Sequence, residues 1–130
     1  MAPDQTKQAE VVAATDVAEE EMRPQTVPVN VYETEAALVV VAPLPAVQPD
    51  DVTIDVTPGQ VRITASLRSA APRDYLVHEW FYGGYEREVE IPAGWGASVE
   101  ASLANGQLAV RVLRGEPDGK VTINPTNPIG

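Results

Sequence analysis

Cysteine is absent from this chain of 130 residues, which removes a disulfide framework, thiolate metal ligands and a cysteine nucleophile at once. Histidine is nearly absent too, since His78 stands alone. Without a second imidazole or a thiolate, a catalytic zinc site has no ligand set. The serines lack a G-x-S-x-G elbow, and only one imidazole is available as a base. No phosphate-binding loop is present: Gly94-Trp95-Gly96 has neither the length nor the lysine, so nucleotide chemistry is not expected. Asp50, Asp51 and Asp55 lack the spacing of a calcium loop. No catalytic residue, metal or cofactor is therefore expected. No apolar run approaches the length of a membrane span, and the opening MAPDQTKQAEVV lacks the basic-then-apolar order of a signal peptide. The expected location is cytoplasmic. Positive charge is scarce, with nine Lys and Arg against 19 Asp and Glu and a net charge of −10. That balance repels phosphate backbones and anionic headgroups, which argues against nucleic acid and membrane as partners. A single Phe leaves the core to Val, Ile, Leu and Ala.

What the chain does contain is short runs of period-two alternation. Tyr85, Arg87, Val89 and Ile91 alternate with Glu86, Glu88 and Glu90, and the three glutamates read as a solvated face. Val99, Ala101 and Leu103 alternate with Ser98, Glu100 and Ser102, and Leu108, Val110 and Val112 with Ala109 and Arg111. Each predicts a strand with one wet face. Asn105-Gly106 between the last two fits a tight hairpin turn. Upstream, Val52, Ile54 and Val56 are linked to Val61, Ile63 and Ala65 through Pro58-Gly59, a type II turn signal. Ala37 to Ala42 is apolar on both parities and predicts a strand covered on both faces. Val27, Val29 and Val31 predict a first strand, with Pro28 marking it as an edge. Many short strands without an intervening helix predict an all-β sandwich.

The chain divides into three parts. Residues 1–26 form an acidic arm, either disordered or a helix formed only against a partner through Val11, Ala14, Ala18 and Met22. Residues 27–115 form the sandwich. Residues 116–130 form an extension beyond a hinge at Gly115, Pro117 and Asp118-Gly119. Residues 67–84 are one long connection, a length that is uncommon inside a compact domain unless it has a task. Arg87 lies on the parity that should be dry, so it needs a carboxylate or an interface. Asp74 and Glu79 are the candidate partners.

Two of these blocks resemble the small heat-shock, or α-crystallin, family. ASLANGQL, residues 101–108, is similar to its A-x-x-x-N-G-x-L signature, with Ala101, Asn105, Gly106 and Leu108 in place. EWFYGGYEREVEIP, residues 79–92, is similar to its E-R-x-Y-G-x-F-x-R-x-F-x-L-P block. Trp80 departs from the usual Arg, Gln107 from an aliphatic residue, and the arm from longer, Phe-containing ones. The resemblance implies an immunoglobulin-like β-sandwich with a short N-terminal arm and an extended C-terminal tail. It implies an ATP-independent holdase whose partners are copies of itself and unfolded client proteins. Val121 and Ile123 are similar to the family's I/V-x-I/V tail motif, which docks on a neighbouring domain. Here the groove would lie between Val52, Ile54 and Val56 on one edge and Val99, Ala101 and Leu103 on the other. The resemblance also implies a dimer interface. Tyr75, Leu76, Val77 and His78 would form a strand exchanged onto Val27, Val29 and Val31 of a partner, with Arg87 near the contact. The alternative is a non-chaperone interaction module on the same sandwich, a CS-domain-like adaptor or a structural component. A third reading makes Trp80, Tyr82 and Trp95 a sugar-binding platform.

Overall fold

The Asn105-Gly106 turn sets the register of the longest hairpin. Both residues adopt positive φ, 54° and 74°, the conformation that a two-residue turn between right-twisted strands requires. The computed structural model describes residues 24–67, 74–80 and 83–127. Among these residues the elements are β1 (Gln25–Thr26), β2 (Asn30–Glu33), β3 (Ala37–Pro43), β4 (Val52–Thr57), β5 (Gln60–Ala65), β6 (Tyr85–Glu90), β7 (Trp95–Ala104), β8 (Gln107–Arg114) and β9 (Val121–Ile123). A single 3-10 turn covers Pro49–Asp51, and no α-helix occurs among the described residues. The expected arm falls outside the described residues up to position 23.

Two sheets face one another. One has the order β1-β6-β5-β4-β9 and the other β2-β3-β8-β7. The alternation seen in the sequence becomes the two inner faces. Val52, Ile54, Val56, Val61 and Ile63 from the first sheet meet Leu38, Val40, Leu108, Val110 and Val112 from the second, and all are buried. The Pro58-Gly59 link closes β4 on β5 with Thr57 opposite Gln60, and Gly59 has the positive φ of 87° that a type II turn needs. Ala37 to Val40 are buried on both parities, as expected for a strand covered on both faces.

The first expected strand is two strands. Gln25–Thr26 runs parallel to Tyr85 and Glu86 in one sheet, whereas Asn30–Glu33 runs antiparallel to β3 in the other. Val27 to Val29 cross between them, and Val27 is buried with only 4% of its surface exposed. A segment passing from one sheet to the other presents alternate residues to the core just as a strand does. The period-two pattern is therefore the same for both.

Tyr75 to His78 form no strand within the chain. The irregular start of β7 is also new: the register with β8 shifts between Trp95 and Val99, and Gly96 at φ 129° lies inside that bulge.

Candidate docking groove and subunit edge

At one open edge of the sandwich, β4 of the first sheet and β7 of the second leave a groove between them. The C-terminal extension fills it. β9 adds to β4 as an antiparallel strand with Ile54 opposite Ile123, Asp55 opposite Thr122 and Val56 opposite Val121. Val121 and Ile123 are two positions apart, so both turn the same way, and Ile123 packs on the core while Thr122 faces out. Polar contacts fix the register. The Thr122 hydroxyl donates to Asp55 Oδ1 at 2.6 Å, Asn124 Nδ2 donates to the Val52 carbonyl at 2.7 Å, and Lys120 Nζ lies 3.7 Å from Asp55 Oδ1. The chain then crosses to the other sheet. Thr126 N donates to the Ala101 carbonyl and Leu103 N donates to the Thr126 carbonyl, each at 2.9 Å.

Every residue expected to form the groove or its occupant lies at this edge. Val52, Ile54, Val56 and Leu103 are buried, and Val99 and Ala101 are half-buried against the same core. A depression of about 510 Å³ remains beside the tail, lined by Val99, Ala101, Ala109, Ile123, Asn124 and Thr126. The occupant is the chain's own extension, led there by the hinge. Gly115 N donates to the Gly94 carbonyl at 2.8 Å, and a Cβ on Gly115 would come within 2.7 Å of the Ala97 Cβ. Pro117 sits over Gly96, where a Cβ would approach the Pro117 Cβ to 2.9 Å. The hinge is thus laid along the start of β7 and aimed at β4.

The signature residues are spread over this same region. Ala101 supplies the carbonyl that receives Thr126, Asn105 and Gly106 make the turn, and Leu108 is fully buried. Gly106 also accepts a bond from Leu44 N at 2.7 Å, tying the turn to the Pro43-Leu44-Pro45 connection. Gln107 is exposed at the start of β8, which is why a polar residue is tolerated there.

The expected dimer surface lies elsewhere. β2 ends its sheet, and Val31 and Tyr32 on it are 43% and 53% exposed. Leu76 is fully exposed and Val77 is 72% exposed, while the Tyr75 and His78 rings stack with centroids 4.6 Å apart. Val27 does not belong to that edge, because it is in the core and its backbone already bonds within the chain. Val29 is half-buried against the core. Arg87 Nη1 donates to the Val27 carbonyl at 3.3 Å, so neither Asp74 nor Glu79 is its partner.

Trp80 has a role that the sequence did not signal. Its Nε1 donates to the Tyr85 hydroxyl at 3.2 Å, and that hydroxyl donates to the Pro45 carbonyl at 2.9 Å. The long connection is thereby anchored just before β6. Trp95 is buried, with the Arg114 guanidinium 4.3 Å from its ring centroid. It cannot serve a sugar platform with Trp80, and Tyr82 lies outside the described residues.

A sequence model described as Hsp20/alpha crystallin family matches residues 30–124. The chain belongs to that family. Its sandwich is an α-crystallin domain, and the Hsp20 family is one of non-enzymatic chaperones. Solved structures agree on the fold. The hspA of Xanthomonas axonopodis superposes with a TM-score of 0.63 at 21% identity, over 71% of this chain and 96% of that one. Heat shock protein 16.0 of Schizosaccharomyces pombe gives 0.58 at 23% identity over 70% and 68%. A small heat-shock protein of Xylella fastidiosa gives 0.58 at 22% identity over 68% and 85%. A search of curated proteins finds no match. Among the described residues of this Hsp20 chain, no group of three or more His, Asp or Glu is placed to hold a metal. No helix there is long and apolar enough to cross a membrane.

Proposed function

We propose that this Hsp20 protein is an ATP-independent holdase of the cytoplasm that binds partly unfolded chains and limits their aggregation. The observation that carries the reading is the groove between β4 and β7. It accepts an extended segment by strand addition and takes alternate apolar side chains toward the core, a mode open to any unfolded chain that exposes such a segment. The occupant is held weakly enough to leave. Val121 and Ile123 are only half-buried, so they contribute less than the roughly 1.5 to 3 kcal/mol each of full burial. Ordering some five tail residues costs about 1 to 2 kcal/mol apiece.

Self-association is part of the same proposal. The exposed edge of β2 at Val31 and the exposed Leu76 and Val77 would relieve one another across two copies, with Tyr75 to His78 as the exchanged strand and Arg87 close by. The Xylella fastidiosa relative is described as having a distinct high order structure, and a dimer or small oligomer is the assembly proposed here.

Light scattering of a heat-aggregating client, with full-length protein and with a chain ending at Gly119, tests the reading. Suppression by both, or more strongly by the shortened chain, is expected. The seating of the tail on its own domain favours a second reading, a self-contained adaptor module. Suppression by neither chain, together with a monomeric mass, would establish that reading instead.

A further inference from the structure

We propose that Asn105 is a site of self-modification: the tight turn it forms with Gly106 holds the pair in a shape that cannot react, and opening of the turn releases it to deamidate. The chemistry needs only water and does not depend on the holdase reading.

The residue next along the chain singles this pair out. The asparagines are Asn30, Asn105, Asn124 and Asn127. Deamidation begins when the following main-chain nitrogen gives its proton to solvent and attacks the side-chain Cγ. Pro125 and Pro128 have no N–H to give, and Val31 crowds its own nitrogen with a branched side chain. Gly106 has neither obstacle, and Asn105 is exposed at the tip of the β7–β8 hairpin. The new C–N bond expels the side-chain nitrogen as ammonia and leaves a five-membered imide. Water then breaks one of the two C–N bonds of that ring. Cleavage on the Cγ side gives aspartate. Cleavage on the main-chain side gives isoaspartate, with the backbone rerouted through Cβ and Cγ.

The fold opposes the first step. Ring closure needs the Asn105 Cβ and the Gly106 nitrogen nearly eclipsed about the Cα–C bond. With φ at 54°, Asn105 is in the left-handed region, where ψ is about +30 to +60°, and that turns the Gly106 nitrogen almost opposite to Cβ. Two ties hold the turn in this shape. Ala104 pairs with Gln107, and the Gly106 carbonyl accepts from the amide of the buried Leu44 at 2.7 Å. An isoaspartate lengthens the two-residue turn by one backbone carbon, so neither tie keeps its geometry.

The full chain, incubated in warm, mildly alkaline buffer with and without urea above its unfolding midpoint, tests this by peptide mass spectrometry. In urea, the peptide holding Asn105 should show the mass increase of an amide turned to an acid, as a mixture of aspartate and isoaspartate. Peptides holding Asn30, Asn124 and Asn127 should stay intact over the same time. Without urea, conversion at Asn105 should be slower by about tenfold or more, because only the open fraction reacts. Conversion in buffer at the urea rate would overturn the protective turn, and an Asn105 that survives in urea would overturn the site. The purified isoaspartate form should exchange amide hydrogens faster at Leu44 and Gln107. Asn105→Asp, which keeps the backbone and suits the same turn, should not. Equal exchange in the two would overturn the structural consequence.

Discussion

Gly84 and Ala46 are two backbone positions whose requirements run in opposite directions. Gly84 has φ 104°, and a Cβ there would collide with the Ala65 carbonyl oxygen. Gly84→Ala combines a left-handed backbone with a clash against main chain that cannot swing away. The expected loss is about 3 kcal/mol or more, read from the urea midpoint. Ala46 is the reverse, a residue with a side chain held at φ 67°. Ala46→Gly relieves that strain at an entropic cost in the unfolded chain, and a net gain of about 0.5 kcal/mol is expected in the same titration. Neither requirement was legible from the residues, because a positive φ at alanine has no side-chain mark. Arg87 shows the same limit. Its need for a partner was readable from its parity, but the partner is the Val27 carbonyl, and an acceptor on the main chain carries no signal in the sequence. Arg87→Met keeps the apolar stem and removes the donor. A loss of about 1.5 to 3 kcal/mol is expected, as for a hydrogen bond to a charged group. Arg87→Glu should in addition lower the dimer fraction by sedimentation, and an unchanged sedimentation coefficient would retire its proposed place at the interface.

Strands were legible wherever alternation ran between two turn signals. The β4–β5 and β7–β8 hairpins, with Pro58-Gly59 and Asn105-Gly106 at their tips, lie where the pattern put them because one buried face fixes both the period and the register. The pattern failed where the chain changes sheets. Val27, Val29 and Val31 alternate without forming one strand, since the segment that crosses between the sheets also turns alternate residues to the core. It was also silent on Trp80, whose indole meets Tyr85 across a long connection. β9 is short and only half-buried, and it pairs with one neighbour at the open edge, so it is readily dislodged. Ile123→Ala removes its main core contact, and a local cost of about 1 to 2 kcal/mol is expected. Hydrogen exchange should register this as faster exchange along β4, with protection in β3 and β8 unchanged, because local opening need not involve the global transition. Uniformly faster exchange in all strands would show that β9 is part of one cooperative unit.

Both open sides of the sandwich are closed in the same way. On one side the chain adds β1 to β6, passes the buried Val27, and adds β2 to β3. On the other it adds β9 to β4 and bonds Thr126 to β7. The N-terminal closure feeds directly into β3 and so cannot leave without disturbing the core. The C-terminal closure is held by a hinge and a few half-buried contacts, so it is the one that can open. A chain ending at Gly119 therefore exposes β4 and β7 as bare strand edges above Val99 and Ala101. It should bind an apolar dye several-fold more strongly than the full chain and acquire a molar mass that grows with concentration. The full chain's mass should rise less steeply between about 1 and about 100 micromolar, because the tail covers those edges. Light scattering on both chains across that range decides the matter. A full-length mass that climbs as steeply as that of the shortened chain would mean that the tail leaves its own groove at working concentrations and that assembly proceeds by exchange between copies.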